Sequence, residues 1–217
     1  MSNPHLTGTL YGWYWATAYG DLTNDQRLHN AQQAVNILCR NNFTHAAAAG
    51  IVGNMWAEST MSPGCWEEWT DEPNMTRGYG LVQWTGNVDH SGMNPYIYWA
   101  DQNGWDWENN GPLEMNRILY ERDNNIEFVG SAQYPGGWLT FQNIGLVEDP
   151  QTIQDDVEYA AGMFLYDYLR PTPEEAAATV GNRKTLAWMV YQNTKKPVPA
   201  WLLFKMSQLN RKKYRGG

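Results

Sequence analysis

The chain has 217 residues, a formal charge of −8 and a pI near 4.9, which argues against nucleic acid as a partner because phosphate binding needs a basic surface. It contains no run of about 18 apolar residues, so nothing reads as a membrane span. Hydrophobic residues at 42% and charged residues at 18% fit one sizeable globular domain. The 12 Trp and 13 Tyr exceed ordinary usage and suggest sugar stacking, with large core pieces as the plainer alternative.

The N-terminal stretch MSNPHLTGTLYG lacks the basic and apolar regions of a secretion signal. Residues 8–20 are aromatic and glycine-rich without helical period, and read as an irregular packed arm within an N-terminal arm of about 1–22. Thr23 with Gln26 forms a capping-box pattern that opens a helix with Leu28, Ala31, Val35 and Leu38 on its apolar stripe. Asn41-Asn42 ends it. Cys39 lies on that stripe as a small hydrophobe, and with Cys65 as the only other cysteine no disulfide scaffold is implied; both thiols are expected free.

Thr44 is placed to cap a second helix, on which Ile51, Val52 and Met55 recur at helical spacing and Glu58 continues the same stripe. Ser62-Pro63-Gly64 stops the helix within about a turn of Glu58. Apolar surroundings and the negative helix end both disfavour a charged carboxylate, so Glu58 is a candidate general acid. The alternative is a Glu that snorkels to water. Four more carboxylates follow, Glu67, Glu68, Asp71 and Glu72, interleaved with Trp66 and Trp69. Glycoside hydrolysis uses such a set: one acid for the leaving oxygen, a second carboxylate across the cleft, and aromatic faces for sugar rings. Residues 78–84, GYGLVQW, read as a glycine-flexed strand with Tyr79, Leu81 and Gln83 on one face, completing a small β-hairpin over about 66–84. Alternation in that hairpin puts Glu67, Trp69 and Asp71 on one side, which favours Glu67 and then Asp71 as the second carboxylate.

Beyond a loop, Tyr96–Gln102 begins a short helix containing Trp99, and residues 101–110 are acidic but lack calcium-loop spacing. Pro112 opens a helix with Met115, Ile118, Leu119 and Arg122 on one face. Asp149-Pro150 starts a helix carrying Ile153, Val157, Ala160, Phe164 and Tyr168, ended by Arg170-Pro171. Thr172-Pro173-Glu174-Glu175 is a second capping box, and its helix aligns Ala176, Val180, Arg183, Ala187 and Val190. A last helix is expected over 199–214 with Leu202, Leu203, Met206 and Leu209, and the basic end of about 211–217 reads as flexible.

Rival chemistries find little support. His5, His29, His45 and His90 show no paired spacing for zinc, and neither metal nor cofactor is expected. Cys65 with His90 is a conceivable nucleophile and base, yet nothing beside Cys65 would activate it. Ser59 lies in no Gly-x-Ser-x-Gly elbow, and reads as a support for Glu58 or the helix end.

The segments GNMWAESTMSPG and GYGLVQWT together resemble the phage tail lysozymes, relatives of goose-type lysozymes and soluble lytic transglycosylases. An Asn30-Ala31-Gln32 helix before the catalytic helix and the Phe164, Tyr168, Arg170-Pro171 helix end extend the resemblance over about 10–190. Two departures stand out: Leu169 where relatives carry Glu, and residues 86–90 where relatives have Pro and a basic residue. The resemblance implies a mainly α, lysozyme-like α+β fold, with one catalytic domain over 1–217 and its β-hairpin at the cleft. It also implies a muramidase of a phage tail that cuts wall glycan strands during DNA entry. Glu58 would be the acid, with Ser59, Trp69, Tyr79, Gln83 and Trp84 lining the substrate cleft. Peptidoglycan glycan strands and other phage tail proteins would be its partners, and the virion its location. A lytic transglycosylase with the same acid and a non-catalytic wall-binding module are the alternatives.

Overall fold

The computed structural model describes residues 6–17, 20–67, 75–85 and 93–197. Among these the chain is mainly α with one small β-hairpin, as the sequence implies. The elements are β1 (Thr7–Leu10), β2 (Trp13–Ala16), α1 (Asn24–Arg40), α2 (His45–Ser59), α3 (Pro95–Gln102), α4 (Gly111–Asp123), α5 (Trp138–Gln142), α6 (Ile153–Phe164) and α7 (Pro173–Asn193). A π-helical turn, Leu165–Leu169, continues α6. The expected helix over 199–214 and the basic end lie outside the described residues.

Local signals set the helix starts. Both capping boxes form: Thr23 with Gln26 on α1, and Thr172 with Glu175 on α7, where Pro173 occupies the first turn. Thr44 Oγ1 accepts from the Ala47 N–H to cap α2. The start of α6 is later than expected. Asp149 and Pro150 form a turn in which the Asp149 carbonyl accepts from Thr152 and Ile153, and Thr152 takes the cap position.

α2 is the axis of the molecule, packed against α1, α6 and α7. Its buried positions surround the helix instead of forming one stripe. Two glycines allow the close approach: a Cβ on Gly50 would lie 2.6 Å from the Ala160 Cβ of α6, and one on Gly53 would lie 2.5 Å from the Ala187 Cα of α7. Gly53→Ala therefore pushes a methyl into helix backbone that cannot rotate away. It should cost about 1–3 kcal/mol of stability, read as a lowered urea midpoint at unchanged slope.

The β-hairpin is not where the sequence suggested. It belongs to the N-terminal arm, with Leu10 opposite Trp13 across a two-residue Tyr11-Gly12 loop, in place of an irregular arm. Both loop residues have positive φ, 50° and 80°, as a type I′ turn requires. Asn30 on α1 fastens the hairpin through Tyr14, and Ser62 after α2 fastens it through Ala16. Residues 78–84, by contrast, do not form a strand. Gly80 (φ 84°) and Gln83 (φ 54°) turn the chain, Tyr79 bridges Trp84 directly, and only isolated bridges link Trp66, Tyr79 and Trp84. Part of the aromatic surplus is core: among the described residues Tyr79, Trp84 and Tyr96 are all buried, with Trp84 stacked on Tyr96 at 5.0 Å.

Candidate active site

α2 ends where Thr60 and Met61 adopt left-handed conformations (φ 49° and 64°), leaving Glu58 in the last turn. The Glu58 side chain is 23% exposed, and is not sealed in the apolar pocket that its stripe suggested. Its Oε1 accepts from Arg183 Nη2 at 2.6 Å. Arg183 reaches it from α7, is itself buried, and donates through Nη1 to Asn54 Oδ1 at 3.1 Å. Asn54 Nδ2 in turn donates to the Gly50 and Ala161 carbonyls. A chain of hydrogen bonds thus ties the candidate acid to α2, α6 and α7. Arg183 is the functional neighbour that the sequence reading missed, although an arginine among Ala176, Val180, Ala187 and Val190 on one helix side is itself a signal.

Glu58 faces a cavity of about 380 Å³ lined also by Glu67, Val82, Gln83, Thr85, Leu169, Pro171 and Glu175. The structure therefore brings together three residues singled out in the sequence: Glu58, Glu67 and Gln83. Glu67 is exposed, and its Oε2 accepts from the Gly78 N–H at 2.8 Å. Gln83 folds its amide back over the turn, donating to the Cys65 carbonyl at 3.0 Å and the Gly80 carbonyl at 2.8 Å. Glu175 is a carboxylate the sequence reading assigned only to capping. The Thr172 hydroxyl and backbone N–H hold it below the ordinary carboxylate range. A second cavity of about 370 Å³ shares Val82, Gln83, Thr85 and Leu169 and extends the groove toward Glu127 and Arg170, which form an ion pair. The π-helical turn supplies one wall, a common place for this irregularity.

Other candidates fall elsewhere. Ser59 is fully buried, its hydroxyl shared between the Met55 and Leu81 carbonyls, so it fastens α2 to the turn and does not touch a substrate. Tyr79 is core, its hydroxyl accepting from the Asn109 N–H, and it is withdrawn from the cleft wall. Trp84 borders the second cavity but is 6% exposed, its indole N–H directed at Tyr168 and Glu121, which leaves no face for stacking a sugar. Trp69 and Asp71, with Glu68 and Glu72, lie outside the described residues, as does His90. Cys65 and Cys39 are both free; burial raises the Cys39 thiol to about 11 and Cys65 further, which suits neither to be a nucleophile. Among the described residues no group of three or more His, Cys, Asp or Glu is placed to hold a metal.

Beneath the turn lies an acid that sequence reasoning passed over. Glu114 of α4 is fully buried, and its Oε2 accepts from the Leu81 N–H at 2.6 Å. A Cβ on Gly80 would lie 2.7 Å from that oxygen, so glycine permits the contact. Burial pushes Glu114 well above the ordinary carboxylate range, against the lowering effect of the Leu81 N–H. The folded chain then keeps a proton that the unfolded chain releases above its ordinary value of 4.5. Stability present below that pH is lost as pH rises toward the folded value. Glu114→Gln, which does not titrate, should gain melting temperature relative to the parent as pH rises from about 4 to 8. A difference independent of pH would show that Glu114 ionises alike in both states.

Comparison with known proteins fits this geometry. The model of the family described as "Phage tail lysozyme" matches residues 29–194, a span that runs from α1 to the end of α7 and includes the whole groove. A relative, "Morphogenesis protein 1" of Bacillus phage B103, is 35% identical over 142 residues, which cover 65% of this chain and 34% of the relative. The match thus spans about a third of that relative's length. A family match over most of the chain, which includes the helix that carries Glu58, establishes that the chain belongs to the phage tail lysozyme family.

Proposed function

We propose that the chain is a peptidoglycan-cleaving glycosidase, a muramidase acting for a phage tail on host wall glycan strands during DNA entry. The observation that carries this is the shared cavity of Glu58 and Glu67, at the end of the central helix and open into a longer groove. Glu58 donates a proton to the glycosidic oxygen as the C–O bond breaks, and Arg183 fixes the carboxyl through Oε1. Glu67 stands on the same cavity as the carboxylate that activates water or balances the developing sugar cation. Asp71 remains a second candidate for that role, and other tail proteins remain expected partners. The family name and the morphogenesis title of the relative support the phage setting.

One observation favours the transglycosylase reading: Glu67 already spends an oxygen on the Gly78 N–H, and a single acid suffices when the substrate's own hydroxyl attacks. Mass spectrometry of digested peptidoglycan decides. Products with reducing-end muramic acid support hydrolysis, anhydromuropeptides support the transglycosylase, and intact glycan would leave a wall-binding module.

A further inference from the structure

The groove at Glu58 leaves part of the aromatic surplus unused. A separate open cavity of about 840 Å³, with no lining residue in common with either cavity of that groove, lies between the hairpin tip, α3 and α4. Four aromatic residues border it: Tyr11, Trp99, Trp105 and Tyr120. Tyr11 is 65% exposed, Trp105 44% and Tyr120 39%, a concentration of uncovered ring surface of the kind that marks a binding site.

The rings are held in place before any ligand arrives. The Arg117 guanidinium, itself anchored by Glu121, stands 5.4 Å from the ring centres of both Trp99 and Tyr120. Trp105 packs edge-on against Trp99 at 4.9 Å. Tyr11 adopts φ 50° in the hairpin loop, a conformation that Asn or Gly takes with less strain. The ring is kept at that cost, which points to use at the hairpin tip. Asp106, Asn116 and Asp123 supply exposed polar groups around the rings.

We propose that this groove is a second glycan-binding site, which holds a stretch of neutral N-acetylamino sugars while Glu58 acts on another part of the wall. Sugar faces stack on the aromatic rings, hydroxyl groups donate to Asp106 and Asp123, and Asn116 takes an acetamido group. Arg122 pairs with Asp123 at 2.6 Å, so it is the Asp106 carboxylate that disfavours polyanionic wall polymers. Two linked contacts with an insoluble polymer raise the local concentration of scissile bonds at the first. The ligand class rests on the cell-wall reading above, but the site requires binding and not cleavage.

The test uses Glu58→Gln chain, so that glycan is not consumed, with and without Tyr11→Gly and Trp105→Ala. Glycine suits the Tyr11 backbone and Trp105 is half out of the protein, so folding should persist, as an unchanged melting profile would show. The probes are purified sacculi in a pelleting assay and N-acetylchitotetraose in calorimetry. Binding to sacculi should weaken about tenfold in the double variant, and tetrasaccharide stoichiometry should fall from about two per chain to one. Unchanged affinity and stoichiometry in the folded double variant overturn the proposal and leave the face to a protein partner. Failure of the muramidase reading has a different sign: sacculi bound by the parent chain with no glycan products released.

Discussion

Glu58→Gln should leave the chain folded and lower peptidoglycan turnover by about 10²–10⁴-fold, the range lost with a general acid. The replacement matches the carboxyl in size, and the amide oxygen still accepts from Arg183, so the link to Asn54 and α7 survives. What it lacks is a proton to give to a leaving oxygen. Thermal melting and release of soluble glycan from sacculi, measured on one preparation, separate the two effects. Native melting with near-native release would remove Glu58 from the mechanism and shift attention to Glu67 or Glu175, the other acids on the cavity.

Arg183→Ala should be costly for both stability and activity. Arg183 is 8% exposed and bridges Asn54 and Glu58 through separate nitrogens, so its loss strands the buried Asn54 oxygen and opens space between α2 and α7. A loss of about 2–4 kcal/mol is expected from an orphaned buried polar group together with a cavity. Activity per folded molecule should fall at least about tenfold because Glu58 loses its fixed orientation. Arg183→Lys should restore charge without the two-pronged contact and recover only part of each. Urea unfolding gives the stability term, and glycan release corrected for folded fraction gives the other. If corrected activity equals that of the parent, Arg183 serves the fold alone.

These predictions also separate what was readable in the chain from what was not. The position of Glu58 in the last turn of α2 followed from the Thr44 cap, the apolar spacing and the Ser62-Pro63-Gly64 stop. Its partner did not, because Arg183 stands 125 residues away and reads as one more residue on a helix side. The arm was misread for a local reason: Tyr11-Gly12 lacks the Asn-Gly or Asp-Gly signature of a type I′ loop, so Tyr in a left-handed conformation concealed the hairpin. Residues 78–84 were misread for a distant one. Glu114 captures the Leu81 N–H from 33 positions away and stabilises a turn where alternation alone suggested a strand.

The sequence by itself determined the helical class, both capping boxes, the end of α2 and the carboxylate it carries, because caps and periodicity are interactions between residues a few positions apart. Tertiary structure alone decided which acids share a cavity, which aromatics are core and which are exposed, and what holds Glu58. The last of these depends on how α2 meets α6 and α7. That approach is set at Gly50 and Gly53 by the absence of a side chain, and is completed by hydrogen bonds between residues more than 100 positions apart.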